Sequence, residues 1–107
     1  MKTYQVILAP DFLSDLFELY QYVLLSDGEQ RARTLVKSLE KAARRLQSFP
    51  DRGHQLPELT AMGIQNIQEI IIAPYRIIYK VQDINVHILA CIDGRRDIEQ
   101  ILIRRSL

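Results

Sequence analysis

The chain has 107 residues, 48% of them apolar and 25% charged, which suits one globular domain with a single modest core. No apolar run approaches the ~20 residues that span a bilayer. The opening MKTYQVILAPDF is broken too early by Pro10 and Asp11 to read as a signal peptide. Cys91 is the only cysteine, and His54 and His87 are the only histidines. These counts exclude an internal disulfide and a cysteine-based zinc site. A soluble cytoplasmic protein of one domain, residues 1–107, without metal or cofactor, is therefore expected.

The formal net charge of +1 hides an asymmetry. Residues 1–30 set Lys2 against Asp11, Asp15, Glu18, Asp27 and Glu29, a net of −4; the remainder sets thirteen Lys/Arg against eight Asp/Glu, a net of +5. A basic part of this size suits a polyanion or an acidic partner. The plainer reading is a solvated helix face.

In chain order, Tyr4 to Leu8 reads as a short strand. Pro10 and Asp11 then suit a first helical turn. Leu13, Leu16, Phe17, Tyr20 and Leu24 recur at three- and four-residue steps, predicting a helix over 11–25. Phe12, Leu19 and Val23 widen its apolar face, as a buried helix or one with a second, partner-binding face requires. Ser26 with Glu29 three residues on reads as a capping box. Ala32, Leu35, Val36, Leu39, Ala42, Ala43 and Leu46 form the stripe of a second helix, with Arg31, Arg33, Lys37, Glu40, Lys41, Arg44 and Arg45 opposite. The two helices read as an antiparallel hairpin.

Phe49 to Gly63 contains Pro50, Gly53, Pro57 and Gly63 and reads as a long loop. Strands are predicted over 66–73, 75–82 and 85–92, and a short terminal helix lies in the stretch Arg95 to Leu102, with Asp93 or Asp97 near its start. The fold class is α+β, in the order β-α-α-β-β-β-α, with the helical hairpin on one face of an antiparallel sheet. Alternation puts Tyr75, Ile77, Tyr79 and Val81 on the covered face. It puts Arg76, Ile78 and Lys80 on the other, which is expected to be wet and to display its cations to water or an anion.

Several pieces together resemble the RelE/ParE toxin superfamily of type II toxin–antitoxin systems. They are the opening strand ending at Pro10 with Asp15 and Leu16 after it; Leu46-Gln47-Ser48-Phe49-Pro50-Asp51-Arg52-Gly53 with Leu56-Pro57-Glu58-Leu59; Tyr75-Arg76-Ile77-Ile78-Tyr79-Lys80-Val81; and Val86 through Asp93-Gly94-Arg95-Arg96-Asp97. The Gly-Arg-Arg-Asp ending resembles the ParE branch. The resemblance implies a small antitoxin as partner, with Phe12, Leu16, Leu19 and Val23 as its candidate contacts. The antitoxin's tail would fold on contact as a helix in an apolar groove and a strand on the sheet edge. Operator DNA would be met only through the antitoxin.

The resemblance implies one of two activities. ParE-like members inhibit DNA gyrase, for which Arg76, Arg95 and Arg96 are the candidate contacts; alternatively Arg95 and Arg96 pair with Asp93, Asp97 or Glu99. RelE-like members cleave mRNA on the ribosome, for which Arg76, Lys80, Glu69, His54 and His87 are the candidates. That chemistry needs a base, an acid and a cation for the phosphorane. The terminal stretch has neither His nor Tyr, and arginine is a poor proton donor. The plainer reading makes Glu69 a solvated edge charge, His87 a sheet-face histidine and His54 a loop residue. A third possibility is a non-toxic relative that binds its antitoxin and regulates transcription.

Overall fold

The computed structural model describes residues 3–105. Its elements are β1 (Gln5–Leu8), α1 (Pro10–Asp27), α2 (Glu29–Arg44) continued by a 3-10 turn (Arg45–Gln47), β2 (His54–Gln55), α3 (Pro57–Thr60), β3 (Ile67–Ile72), β4 (Tyr75–Gln82), β5 (Asn85–Asp93) and α4 (Ile98–Arg104). The predicted order is present. The segment expected to be only a loop adds two short elements, β2 and α3, too brief for periodicity to reveal.

The strands form one sheet in the order β1-β5-β4-β3-β2. The pairs from β2 to β5 are antiparallel, but β1 runs parallel to β5, with Gln5 opposite Asn85. The sheet is therefore mixed. A parallel neighbour needs a long crossover, and here everything from α1 to β4 supplies it.

Pro10 stands in the first turn of α1 with Asp11 beside it, as the sequence predicts. The expected capping box does not form. Ser26 lies inside α1, where its hydroxyl donates to the carbonyls of Tyr22 and Val23, and Glu29 pairs with Arg33 instead. Gly28 breaks the hairpin with φ +95°, a conformation that favours glycine.

The α1–α2 pair packs on one face of the sheet. Phe12, Leu16, Leu39, Leu46, Ile77, Tyr79, Val86 and Ile88 form this first core. Tyr79 is fully buried, and its hydroxyl donates to the Pro50 carbonyl (2.8 Å) and accepts from the Gly53 amide (2.9 Å). A methyl group at Gly53 would come within 2.5 Å of that hydroxyl, so glycine is required there.

The opposite face is not the bare one expected. Leu56, Leu59, Ile67, Ile78, Ala90, Ile92, Ile98 and Leu102 make a second core between the sheet and the layer formed by the β2–α3 segment and α4. The wet-face expectation fails because both segments carry apolar residues at short spacing that nothing else can bury. A register shift in the β4–β5 ladder, with Ile78 opposite Ala90 and Tyr79 opposite Ile88, leaves Leu89 as an extra residue packed against this second core. Asp97 caps α4 by accepting from the Gln100 amide.

Candidate functional site

Arg76 lies on the second face, as alternation predicts, but is met there by carboxylates of its own chain. Its Nη1 and Nη2 donate to the two carboxylate oxygens of Glu58 (2.7 and 2.8 Å), and its Nε donates to Glu69. The guanidinium side chain is 13% exposed and Glu69 only 2%. The expected solvated edge charge is thus a buried counter-ion. His54 closes the cluster, with Nε2 2.9 Å from the free oxygen of Glu69. The pairing is written on both partners. Glu58 holds the Arg76 proton more tightly than usual, with Glu69 adding to the effect, while Arg76 holds the Glu58 carboxyl below its ordinary value. Two carboxylates around one guanidinium leave a net negative charge when His54 is neutral, so the cluster repels a phosphate.

Lys80 and His87 stand opposite each other in the ladder, on the same face and half-buried. They are four residues along the strand from Arg76, roughly 13 Å. The structure therefore divides the nuclease candidates. His54, Glu69 and Arg76 come together; Lys80 and His87 form a separate pair. Glu58, the largest cause of the Arg76 shift, was missed as a site residue; it lies eighteen positions before Arg76, and no sequence spacing signals the contact. Among the described residues no group of three or more His, Cys, Asp or Glu is arranged to hold a metal ion.

The turn after β5 presents the other arginines. Arg95 donates through Nε and Nη2 to Asp93 (3.0 and 2.6 Å) and is 79% exposed; this is the internal pairing that the sequence left open. The Arg95 side chain and amide hold the Asp93 carboxyl down at about 2. Arg96 is exposed and has no ion pair among the described residues. Gly94 sits against the Arg76 stem, so that a methyl group there would stand 3.3 Å from Cδ. Arg76 thus supports the turn that carries Arg95 and Arg96. Beside the turn, an open cavity of about 390 Å³ is lined by Glu18, Leu19, Tyr22, Tyr75, Arg95 and Arg96 among others. At its edge Asp15 accepts from the Cys91 amide and, bidentately, from Arg105 (2.8 and 2.7 Å). Burial, and then the Asp15 charge, push the Cys91 thiol up to about 12, so it is no nucleophile.

The α1 candidates need correction. Phe12, Leu16 and Val23 are buried in the domain and Leu19 is partly buried against the first core. Phe12, Leu16 and Val23 are therefore not available to a partner, while Leu19 reaches the surface only where it lines the open cavity. The exposed apolar residues of α1 are Leu13, Phe17 and Leu24 on one stripe, with Tyr22 and Leu25 elsewhere. Both stripes are apolar in sequence, and only packing distinguishes them.

The fold and its termini can now be set beside known proteins. In structure the chain is similar to a chain of the chromosomal ParDE TA system from P. aeruginosa, with a TM-score of 0.70 and 15% identity over 83% of this chain and 94% of that one. At that identity the likeness defines the fold, a helix pair on a mostly antiparallel sheet. A sequence profile for the ParE toxin of the type II toxin–antitoxin system parDE matches residues 6–98. The chain belongs to the ParE toxin family. No curated protein matches it. Among the described residues, no helix is long and apolar enough to cross a membrane.

Proposed function

We propose that this protein is a toxin that acts by binding DNA gyrase, not by cutting RNA, and that a cognate antitoxin neutralises it by covering α1. Family membership supports the first part. The observation that carries the choice of binding over chemistry is Arg76. The residue a nuclease would use against the phosphorane is engaged by Glu58 and Glu69, so Arg76 is not free to supply the electrostatic stabilisation such a reaction needs. Arg95 and Arg96, exposed on a turn stiffened by Asp93 and backed by Arg76, are the target contacts. The stripe Leu13, Phe17 and Leu24 supplies the apolar anchors for an amphipathic antitoxin segment. Operator DNA is then met through that antitoxin.

Purified protein should block gyrase supercoiling and increase cleaved DNA. Replacing both Arg95 and Arg96 by Ala should weaken the effect at least tenfold without altering the fold. Unchanged supercoiling and cleavage, with new mRNA ends on translating ribosomes, would reverse the reading in favour of the ribonuclease.

A further inference from the structure

The cations of the second helix fall into two sets. Arg31, Arg33 and Arg44 pair with Asp27, Glu29 and Glu40, each four residues earlier (3.7, 2.5 and 3.1 Å). Lys37, Lys41 and Arg45 have no such partner among the described residues. They recur every four residues, which spaces them roughly 6 Å apart along the axis. All three are exposed, as are Thr34 and Ser38 beside them. Together they line an open groove of about 410 Å³ whose remaining lining is Ala42 and Ile72, with no carboxylate. Ile72 pairs with Tyr75, and Tyr75 with Asp93. The groove therefore lies two strands, roughly 10 Å, from the turn bearing Arg95 and Arg96.

We propose that the Lys37–Lys41–Arg45 groove binds the phosphodiester backbone of a nucleic acid. Unpaired cations in a row match a ligand with charge repeated along its length, and their hydroxyl neighbours donate to phosphate oxygens. An acidic helical peptide would need apolar anchors; this groove offers only buried Ala42 and half-buried Ile72. A membrane surface would need large apolar side chains to insert, and none lines it. The proposal is independent of the gyrase reading, because the groove uses neither Arg95 nor Arg96.

The test is fluorescence anisotropy of the full chain with a labelled 20-base-pair DNA duplex of arbitrary sequence, with a duplex RNA of the same length, and with a poly-glutamate peptide, across a salt series. Each phosphate contact contributes about −0.9 to the slope of log K against log salt on duplex DNA. The chain should thus lose a slope of about 2.7, or all measurable binding, on replacement of Lys37, Lys41 and Arg45 by Gln. Arg33→Gln, which removes a paired cation, should leave the curve unchanged. Tighter binding of DNA or of RNA names the source of the phosphate, and either supports the proposal. Three results would overturn it: no binding of either duplex at low salt, binding indifferent to the triple replacement, or a poly-glutamate complex at least as tight with the same three-residue dependence.

Discussion

On the helix-pair face of the sheet, Phe12, Leu16, Leu39, Leu46, Ile77 and Ile88 meet as apolar side chains from long regular elements. On the other face, a two-residue strand, a one-turn helix and a terminal helix cover a smaller core, and a polar chain runs from the exposed His54 through the buried Glu69 and the mostly buried Arg76 to the partly buried Glu58, tying the first two to β3 and β4. The first face is held by area removed from water. The second has too little area per element and adds ion pairs whose partners must all be present. Removing apolar area costs in proportion to what is lost, whereas removing one charge of a buried set leaves its partner stranded.

The largest effect should come from breaking that set. Arg76→Leu leaves the buried Glu69 without its guanidinium, with only the His54 ring beside it, and should cost ~3–5 kcal/mol by denaturant unfolding. Adding Glu69→Leu should recover much of the loss, because the two most deeply buried charges are then gone and the remaining Glu58, 30% exposed, is within reach of water. A single replacement no worse than the double would mean the second face is held by packing alone. Next comes a contrast within α1. Leu16→Ala should cost ~2–5 kcal/mol, while Phe17→Ala, at a residue 62% exposed, should stay within ~0.5 kcal/mol yet weaken antitoxin binding in calorimetry. Tyr79→Phe should cost ~1–3 kcal/mol by stranding the Pro50 carbonyl and Gly53 amide. This measures how firmly the helix-pair face anchors the loop leading to the other one.

The smallest effect is an acid limb. Asp93 titrates at about 2 in the folded chain against an ordinary 3.8. A depressed folded value means the contribution is complete above the unfolded value and disappears as pH falls from 3.8 toward 2. The lowering at Glu58 acts in the same direction. Arg95→Gln should flatten part of this limb in a pH series of unfolding midpoints, and high salt should do the same, since Arg95 is exposed.

What the sequence made legible follows from this contrast. The 3.6-residue stripe of α2 and the alternation of β4 are local, repeated signals, and both elements appear where they predict. The side of α1 that meets the sheet was not legible, because Phe12-Leu16-Leu19-Val23 and Leu13-Phe17-Tyr20-Leu24 are equally apolar. The fate of Arg76 was half legible. Alternation gives its face, but Glu58 is eighteen positions away and near only once the loop has folded back, while Glu69, seven positions earlier on β3, is brought beside it by the register of the β3–β4 hairpin. The extra residue Leu89 carries no glycine or proline signal. Arg95 and Asp93, two residues apart, were readable as a pair for the opposite reason.

The parallel edge of the sheet has a consequence for synthesis. Gln5 finds its ladder partner Asn85 only eighty positions later. At ~5–20 residues per second, β1 waits several seconds on the nascent chain for β5, while α1 and α2 are already out and unsheltered. An antitoxin that recognises the apolar stripe of α1 would meet its cognate before the domain closes, so the toxin would be captured unborn rather than disarmed afterwards.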